Sequence, residues 1–302
     1  MIEHQPVLLE QVIGLASGLK SVRSILDLTA GYGGHSQALI EKFRPELAVL
    51  VDQDSYAIGK LKQKFGSNSS VEIVKQNFRD YDPGLGQFDL ILADLGVSSP
   101  QLDIADRGFS YLDSGQRLDM RMDQTAGISA VELLEEATEQ RLTEIFREYG
   151  ELRFARSIAK GIIAYRQKGP IITVKDLNQA TQKYWLSRPK VQVLIYQAIR
   201  IAVNDELKAL DQLLENLIEM LTPGGIGAII SFQSLEDRRV KRKFRELSEA
   251  RLDILGREID PAKVSLLTKR PIVPNQNQIV NNPRARSAKL RAIIKTKKIP
   301  TK

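Results

Sequence analysis

The sequence predicts an α/β protein whose doubly wound, mostly parallel sheet is interrupted by a run of helices. Short apolar segments alternate with amphipathic helical ones over the first hundred residues, which is the pattern of βαβ units. A glycine-rich turn follows the first of these segments. A long helical stretch without strand signals separates the fourth predicted strand from the fifth. We therefore expect the sheet to come from two separate parts of the chain.

The first predicted strand, residues 25–28, leads into a turn that contains Gly31, Gly33 and Gly34, and a helix is predicted over 36–43. A strand, a glycine turn and a helix start together form a cradle for a ligand, because glycine permits positive φ and close approach to the backbone. The spacing is not the full G-x-G-x-x-G of dinucleotide sites. A tight turn without a ligand and a nicotinamide-dependent dehydrogenase are the alternatives, and the latter rests on this turn alone.

Polar and aromatic residues follow the next three strands, which are predicted at 47–51, 71–75 and 88–93. Asp52, Phe78 and Asp94 would then share the edge of the sheet where ligands bind in doubly wound folds. Asp52 lies about twenty residues beyond the glycine turn, where an acid accepts hydrogen bonds from a ribose diol. An ordinary strand-end aspartate and a core phenylalanine are the alternatives at positions 52 and 78.

A polar loop follows Asp94 and is rich in alternating Asp and Arg residues, which fit either a salt-bridged loop or one that grips a substrate. Ser129 then has capping-box spacing to Glu132, and further helices are predicted at 140–149, 154–167 and 174–185. Helices that interrupt a βαβ pattern indicate an inserted subdomain. The predicted division is a discontinuous domain of residues 1–104 and 207–302, and a helical insert of residues 105–206 that we expect to recognise the substrate.

The sheet is expected to resume after one long helix. Apolar residues spaced by three or four predict that helix from about Val193 to Leu221, and Thr-Pro-Gly-Gly at 222–225 predicts its end. A fifth strand is predicted at 226–232, a basic helix after it, and further apolar segments at 264–267 and 290–294.

Charge is unevenly distributed along the chain. The whole sequence carries a net charge of +7, whereas residues 238–302 hold 19 Lys or Arg and five Asp or Glu. This basic region beside an acidic remainder suggests a polyanionic partner, RNA or DNA first, and a solvated basic tail is the alternative.

Composition excludes several classes of protein. The sequence has no cysteine and two histidines, so disulfides and thiol catalysis are excluded and no metal site of His and Cys is expected. No apolar run approaches the roughly 18 residues of a membrane span. The acidic N-terminal residues lack a hydrophobic run, so we expect no signal peptide and a cytoplasmic protein. The sequence does not determine an oligomeric state.

Nine segments together resemble the bacterial MraW (RsmH) family of S-adenosylmethionine-dependent rRNA methyltransferases. The most specific are Asp-Leu-Gly-Val-Ser-Ser-Pro-Gln-Leu-Asp at 94–103 and Leu-Asp-Met-Arg-Met-Asp at 118–123. The others follow in order through nearly the whole chain, at 4–10, 27–36, 107–110, 149–151, 197–207, 231–238 and 282–287.

The resemblance implies a class I, Rossmann-like methyltransferase domain that methylates the exocyclic N4 of a cytosine in 16S rRNA, near the decoding centre of the small ribosomal subunit. The alternative is a non-catalytic rRNA-binding assembly factor that retains a pocket for S-adenosylmethionine. By position, the cofactor contacts of the family fall on Gly33, Gly34, His35, Asp52, Phe78, Asp94 and Gln101.

The loop after the fourth strand is the predicted place of the chemistry. Asp94, Ser98 and Ser99 would accept the N–H bonds of the target amine, with backbone carbonyls as the alternative acceptors. Residues expected to contact RNA phosphates are Arg107, Arg121, Arg238, Arg284 and Arg286. Gln233 stands where the family usually has His, and glutamine can form hydrogen bonds but does not titrate near neutral pH. The loop 113–117 replaces a shorter turn of the family, and Ile226 stands where Arg is common.

Overall fold

The computed structural model describes residues 6–97, 107–112, 115–254 and 256–297. The chain forms two compact units. One combines Met1–Gly96 with Lys208–Lys302, and the other is Val97–Leu207. The domain limits predicted from the sequence stay a prediction. No helix in the described part of the chain is long and apolar enough to cross a membrane.

The first unit contains a seven-stranded sheet in the order β3-β2-β1-β4-β5-β9-β8. Strands β1 to β5 pair in parallel, and β9 is antiparallel to both of its neighbours. The predicted doubly wound, mostly parallel sheet is confirmed. The strands are β1 Ser24–Asp27, β2 Leu47–Asp52, β3 Val71–Lys75, β4 Phe88–Asp94, β5 Leu221–Ser231, β6 Arg251–Leu252, β7 Glu258–Asp260, β8 Val264–Leu266 and β9 Lys289–Lys295; β6 and β7 form a separate two-stranded sheet.

Eleven α-helices lie in the described residues. They are α1 Leu9–Ala16, α2 Gly34–Phe43, α3 Ser55–Phe65, α4 Ala130–Glu136, α5 Glu139–Glu148, α6 Ala155–Arg166, α7 Val174–Trp185, α8 Pro189–Asn204, α9 Glu206–Met220, α10 Ser234–Ser248 and α11 Gln276–Asn281, and a 3-10 turn covers Pro283–Ser287.

Both faces of the large sheet are covered by helices. Successive residues of a strand point to opposite faces, so Ile25 and Leu26 belong to different apolar clusters. The cluster around Leu26 includes Leu214 of α9 and Phe244 of α10. The cluster around Ile25 includes residues of α1 and α2, such as Leu39. This burial on both faces explains why the central strands are continuous apolar runs.

The prediction of a single long helix from about Val193 to Leu221 is wrong. Asp205 has φ 51°, in the left-handed region, and separates α8 from α9. Aspartate is one of the few residues that adopt this conformation readily. The sequence did not indicate the break because apolar residues continue at intervals of three or four on both sides of it.

The predicted helix stop at 222–225 lies inside β5, which begins at Leu221. Phe88 pairs with Leu221 and Leu90 pairs with Ile226, so β5 has extra residues opposite a two-residue step of β4. Gly224 has φ 86° within this bulge. Helix α9 therefore ends directly at the strand.

The second unit is helical, as its sequence predicts. The observed bounds of α5, α6 and α7 lie within one residue of the predicted 140–149, 154–167 and 174–185. The capping box predicted at Ser129 and Glu132 is present at the start of α4. These helices and the loop before them share one apolar core. Its buried residues include Leu118, Leu134, Phe146, Ile158, Leu177 and Ile199.

Candidate active site

Carboxylates end three neighbouring strands of the large sheet. Asp27 ends β1, Asp52 ends β2 and Asp94 ends β4, and all three strands run in the same direction. Their side chains therefore lie at one edge of the sheet, where ligands bind in doubly wound folds.

Two of these carboxylates hold the glycine turn. Asp27 accepts hydrogen bonds from the Thr29 N–H at 3.2 Å and the Ser36 hydroxyl at 2.5 Å. Asp52 accepts one hydrogen bond at each oxygen, from the N–H groups of Gly31 and Asp54, both at 2.8 Å. The turn is therefore fixed by a buried carboxylate, Asp27, and a half-buried one, Asp52.

Packing within the protein explains two of the three glycines. A Cβ at Gly33, which has φ 73°, would lie 2.6 Å from the Phe65 ring. A Cβ at Gly34 would lie 2.8 Å from Pro6. At Gly31, which has φ 53°, the nearest described atom would be 3.9 Å away. A side chain would therefore have room at Gly31, whereas contacts inside the fold require glycine at the other two positions. Contact of Gly33 and Gly34 with a cofactor stays a prediction.

Asp94 is positioned by residues of the same turn. Its backbone N–H donates to Thr29 Oγ1 at 2.6 Å, and its Oδ2 lies 3.7 Å from His35 Nδ1. His35 Nε2 lies 2.9 Å from the carbonyl oxygen of Val7, which can only accept, so Nε2 carries a proton. Asp94 Oδ1 is buried and accepts no hydrogen bond from any residue of the described chain.

Burial raises the pKa of each of these carboxyl groups. It raises the pKa of Asp27 and that of Asp52 from 3.8 to about 6, although the hydrogen bonds to each carboxylate oppose the shift. Burial, and then the charges of Asp27 and Glu236, raise the pKa of Asp94 well above its usual value. Negative charge at Asp94 is therefore poorly compensated by the protein, which favours a cationic or N–H-donating ligand at its free oxygen.

The end of β5 lies beside Asp94. Leu95 N–H donates to the Ile230 carbonyl at 2.9 Å, and a Cβ at Gly96 would lie 3.6 Å from the Phe232 ring. Beyond that strand, Gln233 Nε2 donates to Glu236 Oε1 at 2.8 Å.

Glu236 anchors the start of α10. Its Oε2 accepts the backbone N–H groups of Phe232 at 2.9 Å and Gln233 at 3.3 Å. Asp237 accepts hydrogen bonds from Arg291 at 2.7 Å and Lys289 at 3.1 Å, both on β9. Sequence reasoning did not single out Glu236 or Asp237, although both lie in the segment 231–238 that carries the family resemblance.

Phe78 follows β3 and is half-buried. It packs against the apolar cluster that contains Leu26 and α9, so part of its ring fills the core. Its neighbour Asn77 donates to Gln53 Oε1 at 2.9 Å, just after β2. Contact with a cofactor base stays a prediction for Phe78. Three further predicted site residues, Ser98, Ser99 and Gln101, lie outside the described residues.

Two arginines that were predicted to contact RNA are engaged inside the second unit. Arg107 is 6% exposed, and its Nη2 donates to the carbonyls of Arg121 and Met122, both at 3.0 Å. Arg121 forms a bidentate pair with Asp119, at 2.9 and 2.8 Å. Arg121 and Asp119 thus form the salt bridge of one of the two alternatives for this loop. Contact of Arg107 and Arg121 with RNA stays a prediction.

The other predicted RNA contacts are exposed residues of the first unit. Arg238 lies on the first turns of α10, and Arg284 and Arg286 lie on the 3-10 turn Pro283–Ser287. The described residues contain no group of three or more His, Cys, Asp or Glu arranged to hold a metal ion.

Comparison with known proteins gives concordant matches. Residues 1–296 match the sequence profile described as the MraW methylase family. The chain is 39% identical to "Ribosomal RNA small subunit methyltransferase H" of Halothermothrix orenii, over 96% of this chain and 98% of that protein. Proteins of the same name from Cyanothece sp. and Trichormus variabilis are 42% and 41% identical, over 95% of this chain and 93% and 90% of theirs.

Likeness to solved structures is weak. The chain is similar to the N-methyltransferase NodS of Bradyrhizobium japonicum in complex with S-adenosyl-l-homocysteine, with a TM-score of 0.44 and 10% identity over 95% of this chain and 85% of that one. The description of the fold rests on the sheet itself.

Proposed function

Because the chain belongs to the MraW methylase family, we propose that it methylates the exocyclic N4 of one cytosine in 16S rRNA, near the decoding centre of the small subunit. It is an S-adenosylmethionine-dependent methyltransferase of small-subunit rRNA. The observation that carries this function is the match over 95% or more of the chain to relatives that share one name. Three further points are proposals: the target atom is a cytosine N4, the partner is the assembled small subunit, and the protein is cytoplasmic.

The residues at the sheet edge fit S-adenosylmethionine. Each oxygen of Asp52 accepts one backbone N–H and retains a lone pair for a ribose hydroxyl. The open space at Gly31 suits the close approach of a ligand to the turn. The poorly compensated charge at Asp94 suits a cationic cofactor or an amine beside it. His35, Phe78 and Gln101 complete the proposed contacts, and Gly33 and Gly34 shape the turn.

Asp94 is the residue that we place at the reacting amine. S-adenosylmethionine supplies an electrophilic methyl group on a sulfonium. The lone pair of a cytosine amine is delocalised into the ring, so the protein must hold the amine by its N–H bonds and direct that lone pair at the methyl group. Asp94 Oδ1 is buried without a described partner, and it is the atom proposed to accept an N–H and hold the proton that the amine loses. Ser98 and Ser99 are the further proposed acceptors.

The target base must be accessible at this edge. A base in a paired helix cannot reach such a site, so the cytosine is unpaired or flipped out of its stack. The exposed Arg238, Arg284 and Arg286 would contact phosphates around it.

Methylation of purified small subunits with labelled cofactor tests the function. We expect transfer to one cytosine, identified by mass spectrometry of the rRNA, and a fall of about 100-fold or more in the rate for Asp94→Asn. Asp89→Asn is the matched control, because Asp89 is the second residue of the same strand, at its opposite end, and accepts hydrogen bonds from the backbone N–H groups of Arg23 and Ser24.

Tight cofactor binding by the unaltered chain without any transfer would contradict this function. It would favour the alternative, a non-catalytic assembly factor that binds rRNA. Gln233→His is expected to keep the rate within a few fold, because histidine can replace the donor that Gln233 provides to Glu236. A large gain in rate would instead show that glutamine at this position limits the reaction.

A further inference from the structure

The second unit has a strong internal asymmetry of charge. Residues 152–204, which contain α6, α7 and α8, hold ten Lys or Arg and a single acid, Asp176. Residues 107–151 hold five Lys or Arg and ten Asp or Glu. The basic part is separate in sequence from the basic residues 238–302. One half of the unit is therefore suited to a polyanion.

Most of these cations form no ion pair with an acidic residue in the described part of the chain. Arg156 pairs with Glu139, Arg200 pairs with Glu206, and Arg166 donates to the carbonyls of Leu134 and Ala137. Six others are exposed and form no ion pair with a described residue: Arg153, Lys160, Lys168, Lys183, Arg188 and Lys190. Their positive charge is available to a partner.

Two exposed apolar side chains lie among these cations. Phe154 is 54% exposed, and the guanidinium carbon of Arg188 lies 5.8 Å from the centre of its ring. Leu186, two residues before Arg188, is 68% exposed. The Tyr184 hydroxyl donates to the Ser157 carbonyl, which ties the end of α7 to the first turn of α6. We call Arg153, Phe154, Leu186, Arg188 and Lys190 the basic corner.

The positive ends of two helices meet at this corner. Phe154 is the N-cap of α6 and Arg188 is the N-cap of α8, helices of 12 and 16 residues. Neither N-cap side chain accepts a hydrogen bond from the N–H groups of its helix. The partial positive charge of both helix starts adds to that of the arginines and lysines.

We propose that the basic corner binds an unpaired stretch of the RNA substrate, with a base stacked on Phe154 and the adjacent phosphates contacted by Arg153, Arg188 and Lys190. An exposed aromatic ring among unpaired cations is the combination that binds single-stranded RNA, since the ring offers a stacking surface and the cations follow the backbone. An acidic protein segment would match the charges but would not need the ring. This inference rests on the proposed function, which makes RNA the substrate.

Anisotropy of a fluorescently labelled single-stranded RNA of about 12 nucleotides tests the corner. Phe154→Ala is expected to weaken binding about tenfold, and Phe154→Trp to retain it, because the stacking surface is lost in one and kept in the other. Arg188→Gln is expected to weaken binding and to lower the slope of log affinity against log salt by about 1. Arg141→Gln is the matched control, because Arg141 lies in the same unit and pairs with Glu144.

The outcomes separate the corner from the function. Suppose that the unaltered chain binds the RNA and methylates subunits, but Phe154→Ala and Arg188→Gln leave RNA affinity unchanged. The basic corner then does not bind RNA, and the proposed function stands. If Phe154→Ala and Phe154→Trp weaken binding equally, stacking is excluded and the inference fails. If the unaltered chain methylates subunits but does not bind the RNA, the inference fails and the function stands; if it does neither, both fail. Circular dichroism and cofactor affinity, expected to be unchanged in every variant, identify any variant that does not fold.

Discussion

At the scale of single residues, the site is defined by carboxyl groups that the fold buries. Asp27 makes two hydrogen bonds and still has its pKa raised to about 6, because its loss of solvent outweighs both contacts. Its proton is therefore held more tightly in the folded chain than in the unfolded one. Ionised carboxyl groups at the strand ends thus lower the free energy of unfolding, which is characteristic of functional sites.

This cost predicts a dependence of stability on pH. The pKa of Asp27 is about 6 in the folded chain against 3.8 when unperturbed, so its contribution to stability is complete below about pH 4 and is lost as pH rises through about 6. Asp27→Asn should remove that part of the fall in the free energy of unfolding, at most about 3 kcal/mol. Urea denaturation of both chains at several pH values between 4 and 7 measures it. Parallel curves for the two proteins would contradict the prediction.

The sequence predicts which residues lie at the site more fully than it predicts the contacts that require them there. Asp52 and Asp94 were expected at strand ends, because apolar runs that stop at an acid are visible in a single sequence. The need for glycine at 33 and 34 was not, because it arises from Phe65 and Pro6, which are distant in sequence and become neighbours only after folding. The protonated Nε2 of His35 likewise depends on a carbonyl that only the fold supplies.

At the scale of elements, local signals were reliable wherever a short-range contact fixes the boundary. The capping box of Ser129 and Glu132 was predicted and is present, because both partners lie within one turn. The break at Asp205 was not predicted, because aspartate also occurs within helices and the apolar spacing continues past it. Tertiary packing decides such cases.

The capping box gives a prediction about the stability of α4. Ser129 Oγ accepts the N–H of Glu132 at 3.3 Å and donates to its carboxylate at 2.8 Å. Ser129→Ala should lower the free energy of unfolding by about 1 kcal/mol, because these groups lose their partner. Glu135→Ala, at an exposed position of the same helix, is the control and should change it by less than about 0.5 kcal/mol. Equal effects of the two substitutions in thermal denaturation would argue against a role of the cap.

At the scale of the whole molecule, charge is separated along the chain. Basic residues concentrate in 152–204 and 238–302, and the remainder is acidic. Such a chain has little net charge for its size, yet it presents regions that attract a polyanion and regions that repel it. Net charge alone therefore understates its affinity for RNA.

The separation predicts that RNA binding is much more sensitive to salt than cofactor binding. RNA affinity should fall at least tenfold between about 50 and 200 mM salt, because bound phosphates release counterions. Cofactor affinity should change far less, since the cofactor carries no row of phosphates whose condensed counterions binding would release. Titrations of both ligands over the same salt series provide the comparison. An RNA affinity that is independent of salt would mean that the exposed arginines and lysines do not contact phosphates.

The place of β9 in the sheet has a consequence for the order of events during synthesis. This strand is the last of the described strands in sequence, yet it lies between β5 and β8 and pairs with both. Its Arg291 also binds Asp237, at the start of the helix beside the candidate active site. Strands β1 to β5 can pair as soon as they are made, but β8 joins the sheet only through β9 and has to wait until residue 295 has left the ribosome. A nascent chain therefore gains the contact of Arg291 with Asp237, beside the candidate active site, only after β9 has been made.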